Sequence, residues 1–367
     1  MSLSVGIVGL PNVGKSTLFN SLSEKQVESA NYPFCTIDPS VGVVPVPDKR
    51  IHELAELSGS AETIPAIVEF VDIAGLVRGA SKGEGLGNQF LSNIREVDAI
   101  VHVVRVFEDP DIIHVENRID PLLDIEIINL ELIEADKQSL TKQLDTIARD
   151  VKRGDKEAFA KEALIKKCLA SLEAERFVSS DFDSYSDDEK KSVKMLHLLT
   201  AKPVLYALNK DSVGKNIDEG EDDRWDSLME FFRSQDAMYI TIDAKTEIEL
   251  KEFDAEDRAA MRADMGAVTD DTDLLIQKGY QLLDLISYFT TGPQETRAWT
   301  IPRGSTAPRA GRAIHTDFEK KFIRAEVIES DKLLACGSKS VARDKGLLRL
   351  EGKEYIVKDG DVIEFKV

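Results

Sequence analysis

Gly9-Leu10-Pro11-Asn12-Val13-Gly14-Lys15-Ser16 matches G-x-x-x-x-G-K-S at every fixed position. It sits between a strand-like run, Leu3 to Val8, and an amphipathic helical stretch beginning near Lys15. In that setting the glycines let the backbone N–H groups wrap a phosphate, and the helix N-terminus adds a favourable dipole. Asn12, Val13, Gly14, Lys15, Ser16 and Thr17 are therefore the candidate nucleotide contacts. Lys15 neutralises β/γ-phosphate charge and counts as catalytic; Ser16 is a candidate Mg²⁺ ligand.

Such a loop needs a second element that holds the metal and senses the γ-phosphate. Asp72-Ile73-Ala74-Gly75, at the end of the apolar strand-like run Ile67 to Val71, supplies the pattern. Asp72 is expected to bind Mg²⁺ through water, and the Gly75 N–H to meet the γ-phosphate. Thr36, between the first helix and the strand-like run Val41 to Val46, is the candidate switch threonine that completes the metal shell. Gly79, Gly83, Gly85 and Gly87 make the segment after Leu76 conformationally permissive, as a nucleotide sensor requires. Asn12 is a candidate for a monovalent-cation (K⁺) site.

Further apolar runs, Ile100 to Val106 and Val204 to Leu208, are of the kind a buried parallel sheet uses. The fold class is thus α/β. Between those two runs Leu130, Ile133, Lys137, Leu140, Leu144, Ile147 and Val151 recur in steps of three and four. Gly154-Asp155 breaks the pattern, and Ile165, Leu169 and Leu172 resume it, so an antiparallel helical hairpin is expected over 124–200. The acidic stretches Asp181 to Lys190 and Ile217 to Asp226 read as solvated loops. From Ser287 onward short strand-like runs alternate with turns, and Asp359-Gly360-Asp361 reads as a hairpin between Tyr355–Val357 and Val362–Val367. The expected organisation is a nucleotide-binding domain over 1–286, interrupted by the hairpin, then a small domain over 287–367.

The 367 residues exceed the size at which one core keeps growing. No stretch approaches 18 consecutive apolar residues, and no basic segment precedes the first apolar run, so a membrane span and a secretory signal are not expected. Cys35, Cys168 and Cys336 are odd in number and widely spaced, which fits reduced thiols and a cytoplasmic location. Forty-seven Lys and Arg against 67 Asp and Glu give a net charge of -20, which disfavours indiscriminate polyanion binding and free DNA as a partner. Any RNA contact must use a local patch. Arg297, Arg303, Arg309, Arg312, Lys320, Lys321 and Arg324 form one in sequence.

Gly9 to Thr17, Asn31 to Ile37 and Asp72 to Phe90 together resemble the Obg-related branch of P-loop GTPases and, more narrowly, the YchF (Obg-like ATPase) family. Arg297 to Pro302, His315 to Glu319 and Val357 to Val362 resemble that family's TGS domain, a ubiquitin-like β-grasp module. The likeness covers essentially the whole chain. It implies an Obg-type domain followed by a TGS domain, and a cytosolic, ribosome-associated, Mg²⁺-dependent hydrolase that prefers ATP over GTP, with the large subunit's RNA and proteins as partners. Other classes are a conventional GTP-binding assembly switch and a nucleotide-stabilised protein-binding scaffold.

A guanine-specific site carries N-K-x-D after a buried strand. Here the chain reads Asn209-Lys210-Asp211-Ser212. Asn209 and Lys210 fit, but Ser212 cannot make the bidentate contact of a carboxylate, at a cost of about 1.5–3 kcal/mol of guanine preference. Asp211 is one residue early and is expected to point elsewhere. The resembled family usually has an acidic fourth residue and no lysine at the second. Asp243-Ala244-Lys245 reads either as the last base-contacting loop, with Ala244 at the base, or as a simple turn. Leu76 stands where many GTPases carry a water-orienting glutamine, so unaided hydrolysis is expected to be slow. His114 is the candidate replacement, and the resemblance supports it.

Overall fold

The computed structural model describes residues 3–23, 25, 40–73, 86–109, 118–212, 214–250, 253–264 and 270–367. A six-stranded sheet is built from β1 (Ser4–Val8), β2 (Val41–Pro45), β4 (Ile67–Asp72), β5 (Ala99–Arg105), β7 (Val204–Asn209) and β9 (Met238–Ile242) in the order β2-β4-β1-β5-β7-β9. All neighbours run parallel except β2, which pairs antiparallel with β4 at the edge. Continuous apolar runs suit this sheet because helices cover both faces, and Val5, Ile7, Phe70, Val101 and Leu205 are fully buried. Between the strands lie α1 (Lys15–Ser23), α2 (Lys49–Ser58), α3 (Leu86–Glu96), α7 (Asp223–Ser234), α8 (Ala244–Leu250), α9 (Ala255–Asp264) and α10 (Asp271–Leu282). The two-residue strands β6 (Phe107–Glu108) and β8 (Lys215–Asn216) pair antiparallel beside the sheet.

The inserted helices are α4 (Pro121–Lys152) and α5 (Lys156–Glu173), packed on each other across the turn at Gly154. Asp120 caps the first, and Asp155 caps the second by accepting the N–H groups of Glu157 and Ala158. Ile127, Ile128 and Leu132 of α4 belong to the core of the nucleotide domain. Ile133, Leu140, Ile165, Cys168 and Leu172 form the hairpin's own core. Leu130 departs from the expected stripe and is 48% exposed, because it faces away from both cores. At the hairpin's base, Asp136 accepts the Leu199 N–H at 3.1 Å and the Thr200 N–H at 2.8 Å.

Of the two expected loops, 181–190 is ordered helical structure instead, while 217–226 is a loop as far as Asp222 and then enters α7. Asp181–Lys190 lies partly in a 3-10 turn, Val178–Ser184, and partly in α6 (Asp187–Lys194). The reason is a capping box between Ser186 and Glu189, with Val178, Tyr185 and Val193 buried in the hairpin core. In 217–226, Ile217 is buried and Asp222 caps α7 by accepting the Arg224 N–H.

The second sheet contains β3 (Glu62–Ile64), β10 (Leu285–Thr291), β11 (Glu295–Pro302), β12 (Arg324–Glu329), β13 (Arg349–Glu351) and β14 (Asp361–Lys366) in the order β13-β12-β14-β10-β11-β3. Parallel pairing of β14 with β10, beside the β10–β11 hairpin, gives a β-grasp arrangement. Around it are α11 (Ala307–Ile314), α12 (Thr316–Lys320), α13 (Ser330–Cys336) and α14 (Lys339–Asp344). The expected hairpin around Gly360 does not form, since β14 pairs with β12 and β10 while Ile356 makes only an isolated bridge to Thr306. Its cause is Asp361, whose buried carboxylate accepts the Lys358 N–H at 2.9 Å and the Tyr355 hydroxyl at 2.7 Å, closing a local loop. The nucleotide-domain segment lends β3 to this sheet's edge, and Arg50 bonds both Asp48 and Asp359 across the junction.

Candidate functional site

The P-loop, Asp72, Asn209 and Ile242 all lie at the carboxyl ends of their strands, where an open parallel sheet leaves a crevice for a ligand. Within the loop Asn12 has φ 64° and Gly14 φ 93°, the left-handed turn that aims successive N–H groups at one point. Gly14 is needed for a second reason: a Cβ there would lie 2.1 Å from Asn209 Nδ2. Lys15 opens α1, and Val13 is buried while Ser16 is exposed on the first turn. Thr17 follows, half-buried.

Lys15 Nζ lies 2.7 Å from Asp72 Oδ1, so the two elements inferred from separate motifs meet in space. Asp72 is held by its own N–H, which donates to the Ser40 carbonyl at 2.8 Å. This puts a carboxylate, an ammonium and the Ser16 turn at one end of the crevice.

The other end is organised by Asn209, which is buried. Its Nδ2 donates to the Val13 carbonyl at 2.9 Å, and its Oδ1 accepts the Ala244 N–H at 3.2 Å. One side chain thereby ties the P-loop, the end of β7 and the start of α8. Lys210 pairs with Asp218 at 2.6 Å. Asp211 is turned into its own loop: its Oδ1 accepts the Gly214 N–H at 3.2 Å, and Asn216 bonds both its N–H and its carbonyl. Ser212 is exposed, and its N–H donates to Asp243 Oδ2 at 2.7 Å.

Residues 4–147 match a family model described as 50S ribosome-binding GTPase, and 285–367 match YchF-GTPase_C, described as protein of unknown function (DUF933). The ribosome-binding ATPase YchF of Bacillus subtilis (strain 168) is 47% identical over 366 residues, covering 100% of this chain and 99% of the relative. That of Escherichia coli O157:H7 is 46% identical at the same coverage. Among solved structures, the Schizosaccharomyces pombe YchF GTPase superposes with a TM-score of 0.87 at 37% identity, covering 100% of this chain and 98% of that one.

The chain belongs to the YchF family.

As a YchF protein it brings together Asn12 to Thr17, Asp72, Asn209 and Ala244 around one crevice. Thr36, Gly75, Leu76 and His114 lie outside the described residues. Sequence reasoning missed the support behind Ala244. Asp243 caps α8 by accepting the Thr246 N–H at 2.9 Å, and the Asp243 N–H donates to Asp271 Oδ2 at 3.1 Å. Behind them Glu247 meets Arg262 at 2.5 Å, and Arg262 also reaches Asp270 at 3.2 Å. Burial pushes the carboxyls of Glu247 and Asp271 above their usual range. The signal was present as a cap pattern, D-x-x-T-E, before an apolar helix face.

On the β5 side, Arg224 donates to the Ile119 carbonyl at 3.0 Å and to Glu108 Oε1 at 2.9 Å. It thus fastens both approaches to 110–117. Hydrogen bonds from Arg224 and, secondarily, from Lys215 hold the Glu108 carboxyl below the usual carboxylate range.

Proposed function

We propose that the protein is a Mg²⁺-dependent, ribosome-binding ATPase switch that accepts GTP more weakly. The observation that carries the nucleotide part is the meeting of Lys15, Asp72 and Asn209 around the P-loop. The relatives' printed name, ribosome-binding ATPase, supports the rest.

For the metal, the donors at the phosphate end are a carboxylate, Asp72, and the exposed hydroxyl of Ser16, which suit a hard cation. Thr36 is the third residue proposed to hold it. Held by these residues, Mg²⁺ would supply positive charge to offset the negative charge of the phosphates. Asn12, exposed at φ 64°, is the proposed K⁺ contact.

The chain's own groups then divide the work. Lys15 leaves Asp72 for the β/γ-phosphates, while Gly75 N–H is the proposed γ-phosphate contact. Asn209 and Ala244 hold the base side, with Lys210 alongside and Ser212 lacking the carboxylate that favours guanine. His114 is proposed to orient the attacking water in place of the side chain that Leu76 does not offer. His114→Ala should slow turnover with little change in nucleotide affinity; equal rates would remove it from the mechanism.

The ribosome, and its large subunit in particular, is the proposed partner; free DNA is not. Competitive titration with labelled ATP and GTP, and ribosome pelleting with and without nucleotide, test the two halves separately. Tenfold tighter GTP binding would point to a conventional GTP switch, and nucleotide-independent pelleting to a scaffold. Among the described residues no helix is long and apolar enough to cross a membrane.

A further inference from the structure

The Ser212 hydroxyl is the end of a chain. Its Oγ lies 2.8 Å from Thr246 Oγ1, and Thr246 Oγ1 donates to Asp243 Oδ2 at 2.8 Å. Asp243 Oδ2 also accepts the Ser212 N–H, and its Oδ1 accepts the Thr246 N–H. Thr246 has one hydroxyl proton, and a bond to a carboxylate is about twice as strong as one between neutral groups, so that proton points at Asp243. The contact between Ser212 and Thr246 is then made with the Ser212 proton. Ser212 Oγ is left with lone pairs only.

We propose that Asp243, acting through Thr246, sets the base specificity of this site by holding the Ser212 oxygen as a hydrogen-bond acceptor for purine N1–H. Guanine carries a proton on N1 and adenine does not. Ser212 holds the fourth position of N-K-x-D, the position that faces N1 in a guanine site. An acceptor there returns to guanine one of the two bonds a carboxylate would give. Adenine must instead draw the Ser212 proton away from Thr246. The relay therefore narrows the ATP advantage without reversing it. Asp243 is a positioning residue in this scheme, itself held through its N–H by Asp271. The inference rests on the ATP-preferring reading of the base site and names the group that limits the preference.

The test is competitive binding of ATP, GTP and inosine triphosphate to the full chain and its variants. Thr246→Val keeps the shape and the backbone N–H cap but cuts the relay. Asp243→Asn keeps the oxygen that caps Thr246, while the amide in the place of Oδ2 donates to Thr246, turns the Thr246 proton toward Ser212 and gives up the bond from the Ser212 N–H, a loss that falls on both nucleotides. Each variant should raise the ratio of GTP to ATP dissociation constants roughly fivefold, the worth of about one net hydrogen bond. The double variant should do no more than either alone, because both break one chain. In the wild type, inosine triphosphate, which lacks the 2-amino group, should bind within about twofold of GTP, since a single oxygen meets N1–H only.

An unchanged ratio in both variants overturns the relay, as does an additive double variant. Inosine triphosphate binding tenfold or more weaker than GTP also overturns it, since that requires a two-pronged acceptor. Ser212→Ala separates the layers. If it changes the ratio while Thr246→Val does not, the relay fails and the base site stands; if it changes nothing, Ser212 is not at the base and both fail. Thermal melting of each variant confirms that the α8 cap survives.

Discussion

Asn209 holds the Val13 carbonyl at 2.9 Å, so the buried asparagine that opens the base motif is bonded to the phosphate loop. The same side chain accepts the Ala244 N–H, so its amide nitrogen and its oxygen are each bonded to backbone on opposite sides of the crevice. Asn209→Ala leaves a buried carbonyl and a buried N–H unpaired, each costing about 1–3 kcal/mol. ATP and GTP affinity should therefore fall together, by tenfold or more on the same scale. Calorimetric titration with both nucleotides checks this. A loss confined to one base would assign Asn209 to base reading instead.

Lys15 and Asp72 form an ion pair across the metal end of the crevice, and both are wanted elsewhere once nucleotide arrives. Lys15→Ala should abolish Mg²⁺-dependent hydrolysis and leave the fold intact. Asp72→Asn should retain nucleotide binding but raise the Mg²⁺ concentration needed for half-maximal turnover. Hydrolysis by the purified Lys15→Ala protein at the wild-type rate would remove the site from this crevice.

Replacing Ser212 by Asp looks from sequence like a direct route to GTP preference. In the structure it sets a second carboxylate against Asp243, whose oxygen already lies 2.7 Å from the Ser212 nitrogen. Like charges that close raise one carboxyl's pKa and weaken it as an ion. Ser212→Asp alone should shift the preference toward GTP only modestly, and Ser212→Asp with Asp243→Ser should shift it further. Equal shifts in nucleotide competition would mean that the two carboxylates do not meet.

The P-loop, the D-x-x-G carboxylate and the Asn209 motif were legible because each is a short local pattern tied to a strand end. Their meeting follows from parallel strands alone, which bring carboxyl ends together. What was illegible depends on partners far along the chain. Asp243 carries its meaning only beside Ser212, 31 positions away, and Arg224 only beside Ile119 and Glu108. Acidic composition misled at 181–190, since Ser186 and Glu189 use the charge to cap a helix whose apolar residues are buried. A turn triplet misled at Gly360, because the Asp361 side chain closes on its own loop rather than on a facing strand.

His102 lies on β5, 2% exposed, with Nε2 unpartnered and its ring 5.5 Å from that of Tyr206. Burial pushes it down to about 3. The folded state thus holds it neutral while the unfolded chain takes a proton below about 6.5. Its contribution to stability is therefore fully present above that pH and is lost as pH falls toward 3, at about 1.4 kcal/mol per unit. His102→Leu should remove this term, so that between pH 6.5 and 5 the variant loses about 2 kcal/mol less stability than the wild type. Denaturant melts across that range measure the difference; parallel acid limbs would show that His102 is protonated in the folded state.

The charge of the C-terminal domain is opposite in sign to the chain's -20 over one stretch, but not all of its cations are free for a partner. Arg303 pairs with Asp284 at 3.0 Å, Arg312 with Glu319 at 3.5 Å and Lys321 with Asp317 at 2.9 Å, while Arg297 stacks 4.3 Å from the Trp299 ring. Arg309 on α11, Lys320 on α12 and Arg324 at the start of β12 are exposed and form no ion pair of 4 Å or less among the described residues. Those three are the cations able to meet RNA phosphates at no cost in internal pairing. The acidic remainder of the surface repels polyanions at large, which suits one structured ribonucleoprotein better than loose nucleic acid. Reversing Arg309, Lys320 and Arg324 to Glu should weaken co-sedimentation with ribosomes. Loss of three phosphate contacts should also lower the slope of log affinity against log salt by about 2–3. Reversing the paired Arg312 and Lys321 should do less, because their charge is already offset. ATP hydrolysis by the free triple variant should stay near the wild-type rate, since none of the three lies near Lys15 or Asp72 in the sheet order. Unchanged pelleting of the triple variant across a salt series would move the ribosome contact off this domain, with the α4–α5 hairpin the next surface to reverse.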